Sequence, residues 1–141
     1  MRKSTGELLF ELQNNACELE QYFENNRTAF LQQDIHAFWE KMIEKTGCSK
    51  SNIINRSDFS YCYFYDVING RKIPSRDKIV RLALAMGLSM EDCQVALTIS
   101  GKSRLYPRVR RDCILIYALE NRLSFFRLSE LLTQYGEAEL Q

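Results

Sequence analysis

A single histidine, His36, and six glycines that fall singly along the chain leave little material for most kinds of active site. A phosphate-cradling loop needs several glycines close together, and here each stands at the expected end of a helix. His36 lies one helical turn from Trp39 and Glu40, with no serine, cysteine or metal set that the sequence puts beside it, and is read as a structural or exposed residue. Asp112 and Glu120 are too far apart in the pattern to form a carboxylate pair. The chain is therefore expected not to be an enzyme, and to need no metal or cofactor. Nor does any stretch approach the roughly 18 apolar residues of a membrane span, and Glu7 and Glu11 interrupt the N-terminal apolar run where a signal peptide needs it unbroken. A cytoplasmic protein without a membrane partner is expected. No period-two apolar run with hairpin chemistry occurs, which leaves an all-α fold. The five cysteines (Cys17, Cys48, Cys62, Cys93 and Cys113) contain no CxxC pair and are read as reduced thiols, most of them small buried hydrophobes.

What is present is a strong segregation of charge. Residues 1–44 carry four basic and eight acidic side chains, residues 45–111 carry thirteen and five, and residues 112–141 carry two and five. A basic middle of +8 between acidic ends of −4 and −3 is an electrostatic footprint for a polyanion, or else the middle pairs with its own flanks.

Capping residues divide the chain into helices. Ser4 and Glu7 form a capping box before an amphipathic run with Leu8, Leu9, Leu12, Ala16 and Leu19 at helical spacing. Asn25 and Asn26 punctuate the chain after this run; Phe30 and Leu31 are then placed to pack and Asp34 to cap a helix over 35–45, which Gly47 ends. Ser49 opens a short helix to residue 56, Ser60 opens another to residue 68, and Asn69-Gly70 stops it. Ser75 caps a helix to residue 86, Ser89 with Asp92 opens one to residue 100, and the last two helices span 112–120 and 124–135. The aromatics Phe38, Trp39, Phe59, Phe64, Tyr117, Phe125 and Phe126 are assigned to the core.

An internal repeat runs through the second half. Residues 76–101 align without a gap on 111–136, at an offset of 35, and Arg76, Asp77, Ile79, Ala83, Leu84, Leu88, Ser89, Leu97, Thr98 and Gly101 all recur as the identical residue. The unit is a helical hairpin that cannot bury its apolar face alone, so the second copy packs either on the first or on another subunit.

Several of these features occur together in a known pattern. Ser49-Lys50 before the first short helix, Ser60 capping the second, Asn69-Gly70 after it, Pro74-Ser75, and the run LALAMGLS from Leu82 to Ser89 resemble the helix-turn-helix domain of the lambda-repressor and xenobiotic response element regulator family. The likeness covers about half the chain, and the whole, including LYPR at 105–108 and the terminal LLTQYGE, looks like a longer helix-turn-helix type found in bacteria. The resemblance implies a lambda-repressor-like helix-turn-helix domain over 35–101, an N-terminal helical extension over 1–34, and a C-terminal helical hairpin over 102–141. It also implies a transcriptional regulator that binds double-stranded DNA, as a homodimer on a palindromic site.

In such a domain the second short helix lies in the major groove. Phe64, Val67 and Ile68 then face inward, and Tyr61, Cys62, Tyr65, Asp66 and Asn69 are the candidate base readers. Ser49, Lys50, Ser60, Arg71, Lys72, Arg76 and Lys78, at helix starts or in the loop after the second short helix, are the candidate phosphate contacts. Two positions depart from the family pattern: Ile54 stands where a small residue is usual, and Asp58 where glycine is usual in the turn. Either change is expected to open the angle between the two helices. The reading surface offers tyrosines, a thiol and a carboxylate where base readout usually relies on Arg, Lys, Asn or Gln. Tyr61 and Tyr65 either bond phosphates and pack on thymine methyls, or cover a partner protein. A DNA-binding regulator and a non-enzymatic adaptor built on the same fold both remain open.

Overall fold

The computed structural model describes residues 3–14, 18–27 and 35–141. Among these residues there are helices and no strands: α1 (Thr5–Gln13), α2 (Leu19–Asn25), α3 (Ile35–Thr46), α4 (Lys50–Ser57), α5 (Tyr61–Ile68), α6 (Arg76–Met86), α7 (Met90–Ile99), α8 (Arg110–Glu120) and α9 (Phe125–Gln134). The all-α expectation holds. No helix among the described residues is long and apolar enough to cross a membrane.

Among the described residues six helices start by the same device. The hydroxyls of Ser4, Ser49, Ser60, Ser75, Ser89 and Ser124 each accept the backbone N–H three residues on. Each bond satisfies one of the donors that a helix start leaves unpaired, a contribution of about 1 kcal/mol.

The N-terminal run is not one helix. α1 ends at Gln13, where the Asn14 backbone N–H makes the last helical bond, to the Phe10 carbonyl at 3.0 Å, and the Asn14 side-chain amide donates to the same carbonyl at 2.8 Å; Leu19 opens a separate helix, α2. Ala16, Cys17, Phe30, Leu31 and Asp34 lie outside the described residues. Residues 1–33 form one compact unit and residues 34–141 another. Within the first, the Glu11 carboxylate takes Lys3 and the Asn26 amide, which hold its pKa below the usual carboxylate value.

The second unit has one apolar core that runs from Trp39 of α3 through Ile53, Phe64 and Leu82 to Leu115 and Leu132. Two of the aromatics assigned to the core are outside it: Tyr117 is 56% exposed and Phe126 64%. Helical spacing puts them on apolar faces, but the described residues 35–141 leave both side chains more than half exposed. The cysteines also depart from expectation. Cys93 is buried, which pushes its thiol up to about 12, while Cys48 is half-buried and Cys62 and Cys113 are exposed.

The sequence repeat is a structural repeat, and it is longer than the alignment indicated. Arg76 forks onto Asp112, with N–H···O distances of 2.8 and 2.7 Å, and Arg111 forks onto Asp77 at 2.9 and 2.9 Å. Each Arg-Asp dipeptide therefore pairs with the other copy's, as a two-fold relation requires. The reciprocity extends to the backbone. Arg76 also donates to the Ser103 and Arg104 carbonyls, and Arg111 to those of Ala138 and Glu139, 35 residues on. The Tyr106 N–H donates to Asp112 and the Gln141 N–H to Asp77, while Leu105 and Leu140 are both buried. The duplicated unit is thus 76–106 and 111–141. Its second copy packs on the first, with α8 starting two residues before Asp112 so that Arg111 and Asp112 share its first turn.

Candidate nucleic-acid interface

α4 and α5 are joined by Asp58, Phe59 and Ser60. Asp58 lies in the left-handed region, φ 60° and ψ 30°, so the turn does impose the backbone that favours glycine, and an aspartate adopts it. The turn is fastened from behind by Arg81 of α6. Its guanidinium donates to the Ser57 carbonyl at 2.7 and 3.2 Å and to the Asp58 carbonyl at 3.4 Å. The same group lies over the rings of Phe59, 5.0 Å from the centroid, and of Phe125 in α9, at 4.5 Å. Burial between these rings lowers its pKa. Arg81 satisfies carbonyls that the end of α4 would leave unpaired, and so holds the setting of α4 against α5. Ile54 packs half-buried against the core. Arg81 was not singled out in the sequence; its signal is that it alone breaks the apolar run of α6 between Ile79 and Leu84.

α5 divides its residues as helical geometry requires. Phe64, Val67 and Ile68 are buried, Tyr61, Cys62 and Asn69 are exposed, and Tyr65 and Asp66 are half-buried beside them. The rings of Tyr61 and Tyr65 lie 4.6 Å apart, and the hydrogen bond and charge of Tyr65 raise the pKa of the Tyr61 phenol, which stays a neutral donor and acceptor. His36 Nδ1–H donates to the Ile68 carbonyl at 2.8 Å and ties the end of α5 to α3, a structural role.

Asp66 does not stand free as a base reader. Its carbonyl accepts the Arg71 and Lys72 N–H groups at 2.8 and 3.1 Å, and its carboxylate lies 3.8 Å from the Arg71 guanidinium and 3.6 Å from the Lys72 ammonium. The two cations are well exposed, at 72% and 59%, and long pairs of this kind contribute little, so a phosphate oxygen can displace the carboxylate.

Lys78 and Lys72 share a platform, Tyr63, that local sequence does not reveal. The Lys78 ammonium lies 4.6 Å from the centroid of the Tyr63 ring and that of Lys72 5.8 Å, while burial raises the Tyr63 pKa. Lys50 sits 3.2 Å from Glu40 and 5.7 Å from the Tyr65 centroid. The hydroxyls of Ser49 and Ser60 cap α4 and α5. Arg76 is a different case: its guanidinium is occupied by Asp112 and by the Ser103 and Arg104 carbonyls, which removes it from the group that can grip phosphate.

These residues define a helical body that presents a short tyrosine-bearing helix between lysine and arginine side chains. Compared with family models, with curated proteins and with solved structures, the chain has no match.

Proposed function

We propose that residues 35–101 form a lambda-repressor-type helix-turn-helix and that the chain is a transcriptional regulator binding duplex DNA through α5. The observation that carries this reading is the face of α5 that bears the exposed Tyr61 and the half-buried Tyr65, flanked by the displaceable cations Arg71 and Lys72 and by Lys78 on its tyrosine platform. In this reading the cations grip phosphates on either side of the groove, and Tyr61, Cys62, Tyr65 and Asn69 face the base edges. Because one short helix provides modest affinity, two protomers act together on a palindromic site.

Titration of labelled genomic fragments, including the chain's own promoter, tests the proposal. Tighter binding to one fragment than to the rest supports it, and uniform weak retention of all fragments speaks against it.

A second reading is favoured by one observation, the lack of any Arg, Lys or Gln side chain on the exposed face of α5 itself. An exposed tyrosine beside a half-buried one, without such donors, also suits a protein partner. Tyr65→Ala separates the two. On DNA it erodes the preference between fragments, whereas an adaptor loses its protein complex and keeps whatever affinity for DNA it has.

A further inference from the structure

The two-fold repeat places an open surface of the second copy where the first copy is covered. Against the first copy, α3 packs on α6 and reaches α7 through Lys45, whose ammonium bonds Asp92 at 2.7 Å. In the first copy Ile79, Leu82, Ala96 and Ser100 are all buried, at most 4% exposed. Their counterparts 35 residues on are Ile114, Tyr117, Leu131 and Tyr135, and these line a shallow groove of about 410 Å³ between α8 and α9. Here Tyr117 remains 56% exposed and Tyr135 49%. The residue in the place of Asp92 is Arg127, which also lines the groove and whose ion partner among the described residues is Glu130, 3.0 Å away on its own helix and 69% exposed.

We propose that this groove binds one amphipathic helix of a partner protein, lying between Tyr117 and Tyr135 as α3 lies on the first copy, with a carboxylate directed at Arg127. Two observations specify the occupant. The first copy carries against α6 a helix, α3, that buries Trp39 and Met42 and reaches Asp92 through Lys45, and the exchange of Asp92 for Arg127 reverses the charge that the occupant must supply. Tyrosine walls and a rim arginine are also the residue types that dominate binding energy at protein interfaces. The inference stands apart from the DNA reading, since none of these residues belongs to α5 or its flanks.

The test uses the full chain and two labelled, lactam-bridged peptides with the sequence of residues 35–46, one native and one carrying Lys45→Glu, because an unbridged helix of this length is marginal in water. Fluorescence anisotropy should show saturable binding of the Lys45→Glu peptide and weaker binding of the native one. Arg127→Asp should reverse that order by about tenfold, as expected for a charge pair turned from attractive to repulsive. Tyr117→Ala, an exposed position, should weaken binding of the Lys45→Glu peptide without moving the thermal midpoint. The proposal is overturned if neither peptide saturates by about 1 mM, or if Arg127→Asp leaves the order unchanged. It is equally overturned if sedimentation shows a dimer that Tyr117→Ala dissociates, since the occupant is then a second copy of the chain.

Discussion

Arg81 donates two hydrogen bonds to the carbonyl oxygen of Ser57, and by this contact a residue of α6 fixes the end of α4 and the start of the turn into α5. Phe125, whose ring centroid lies 4.5 Å from the guanidinium, makes the C-terminal hairpin part of the same support. Arg81→Ala leaves a buried carbonyl unpaired and should destabilise the chain by about 1–3 kcal/mol in urea unfolding. Arg81→Lys keeps the charge and loses the planar fork, and should recover only part of that loss. Equal stability of all three proteins would remove Arg81 from this role.

The reciprocal Arg-Asp pairs make the junction of the repeats sensitive to acid. Burial on its own would raise the pKa of Asp77 and Asp112, but the hydrogen bonds from Arg111 and the Gln141 N–H, and from Arg76 and the Tyr106 N–H, outweigh it and leave both lowered. A carboxyl whose folded pKa is depressed contributes stability that is present above its unfolded value of about 3.9 and is lost as pH falls through the folded value. The urea midpoint should therefore hold down to about pH 4 and fall below it. Asp77→Asn should lower the midpoint at neutral pH, by about 1–3 kcal/mol in stability, and flatten its decline in acid. An unchanged acid slope in Asp77→Asn contradicts the assignment.

Among the described residues two that are not glycine hold left-handed backbone, Asp58 at φ 60° and Arg122 at φ 51°. In the first repeat the place of Arg122 is taken by Gly87, at φ 72°. Because the bonds from Arg81 go to backbone oxygens, Asp58→Gly keeps them. Asp58→Gly and Arg122→Gly should each stabilise the chain by up to about 1 kcal/mol, read as a rise in thermal midpoint. Destabilisation by either would mean that the side chain, not the backbone, is what the turn needs there.

The parts of the fold legible in the sequence were those that act over a few residues. Six serine caps and the inward set Phe64, Val67 and Ile68 follow from hydroxyl chemistry and helical period, and both are in place. The repeat was legible as sequence, yet its most informative contact was not, since nothing local states that Arg76 bonds Asp112 across 36 positions. That contact also removed Arg76 from the phosphate set. Tyr117 and Phe126 were misplaced for a related reason: periodicity shows that two residues share a face, but what covers the face is decided by the rest of the molecule. Local sequence does not mark Tyr63, because its role depends on Lys78, which arrives from the next helix.

The proposal that α5 and its basic flanks bind duplex DNA is tested most directly by the salt dependence of binding. Affinity of the chain for a duplex should fall as salt rises, with a log–log slope of about −0.9 for each phosphate neutralised. Arg71→Glu combined with Lys72→Glu should abolish binding or reduce that slope by about two contacts, with the thermal midpoint little changed. Binding that is insensitive to salt, or that survives the double substitution unaltered, would contradict the account.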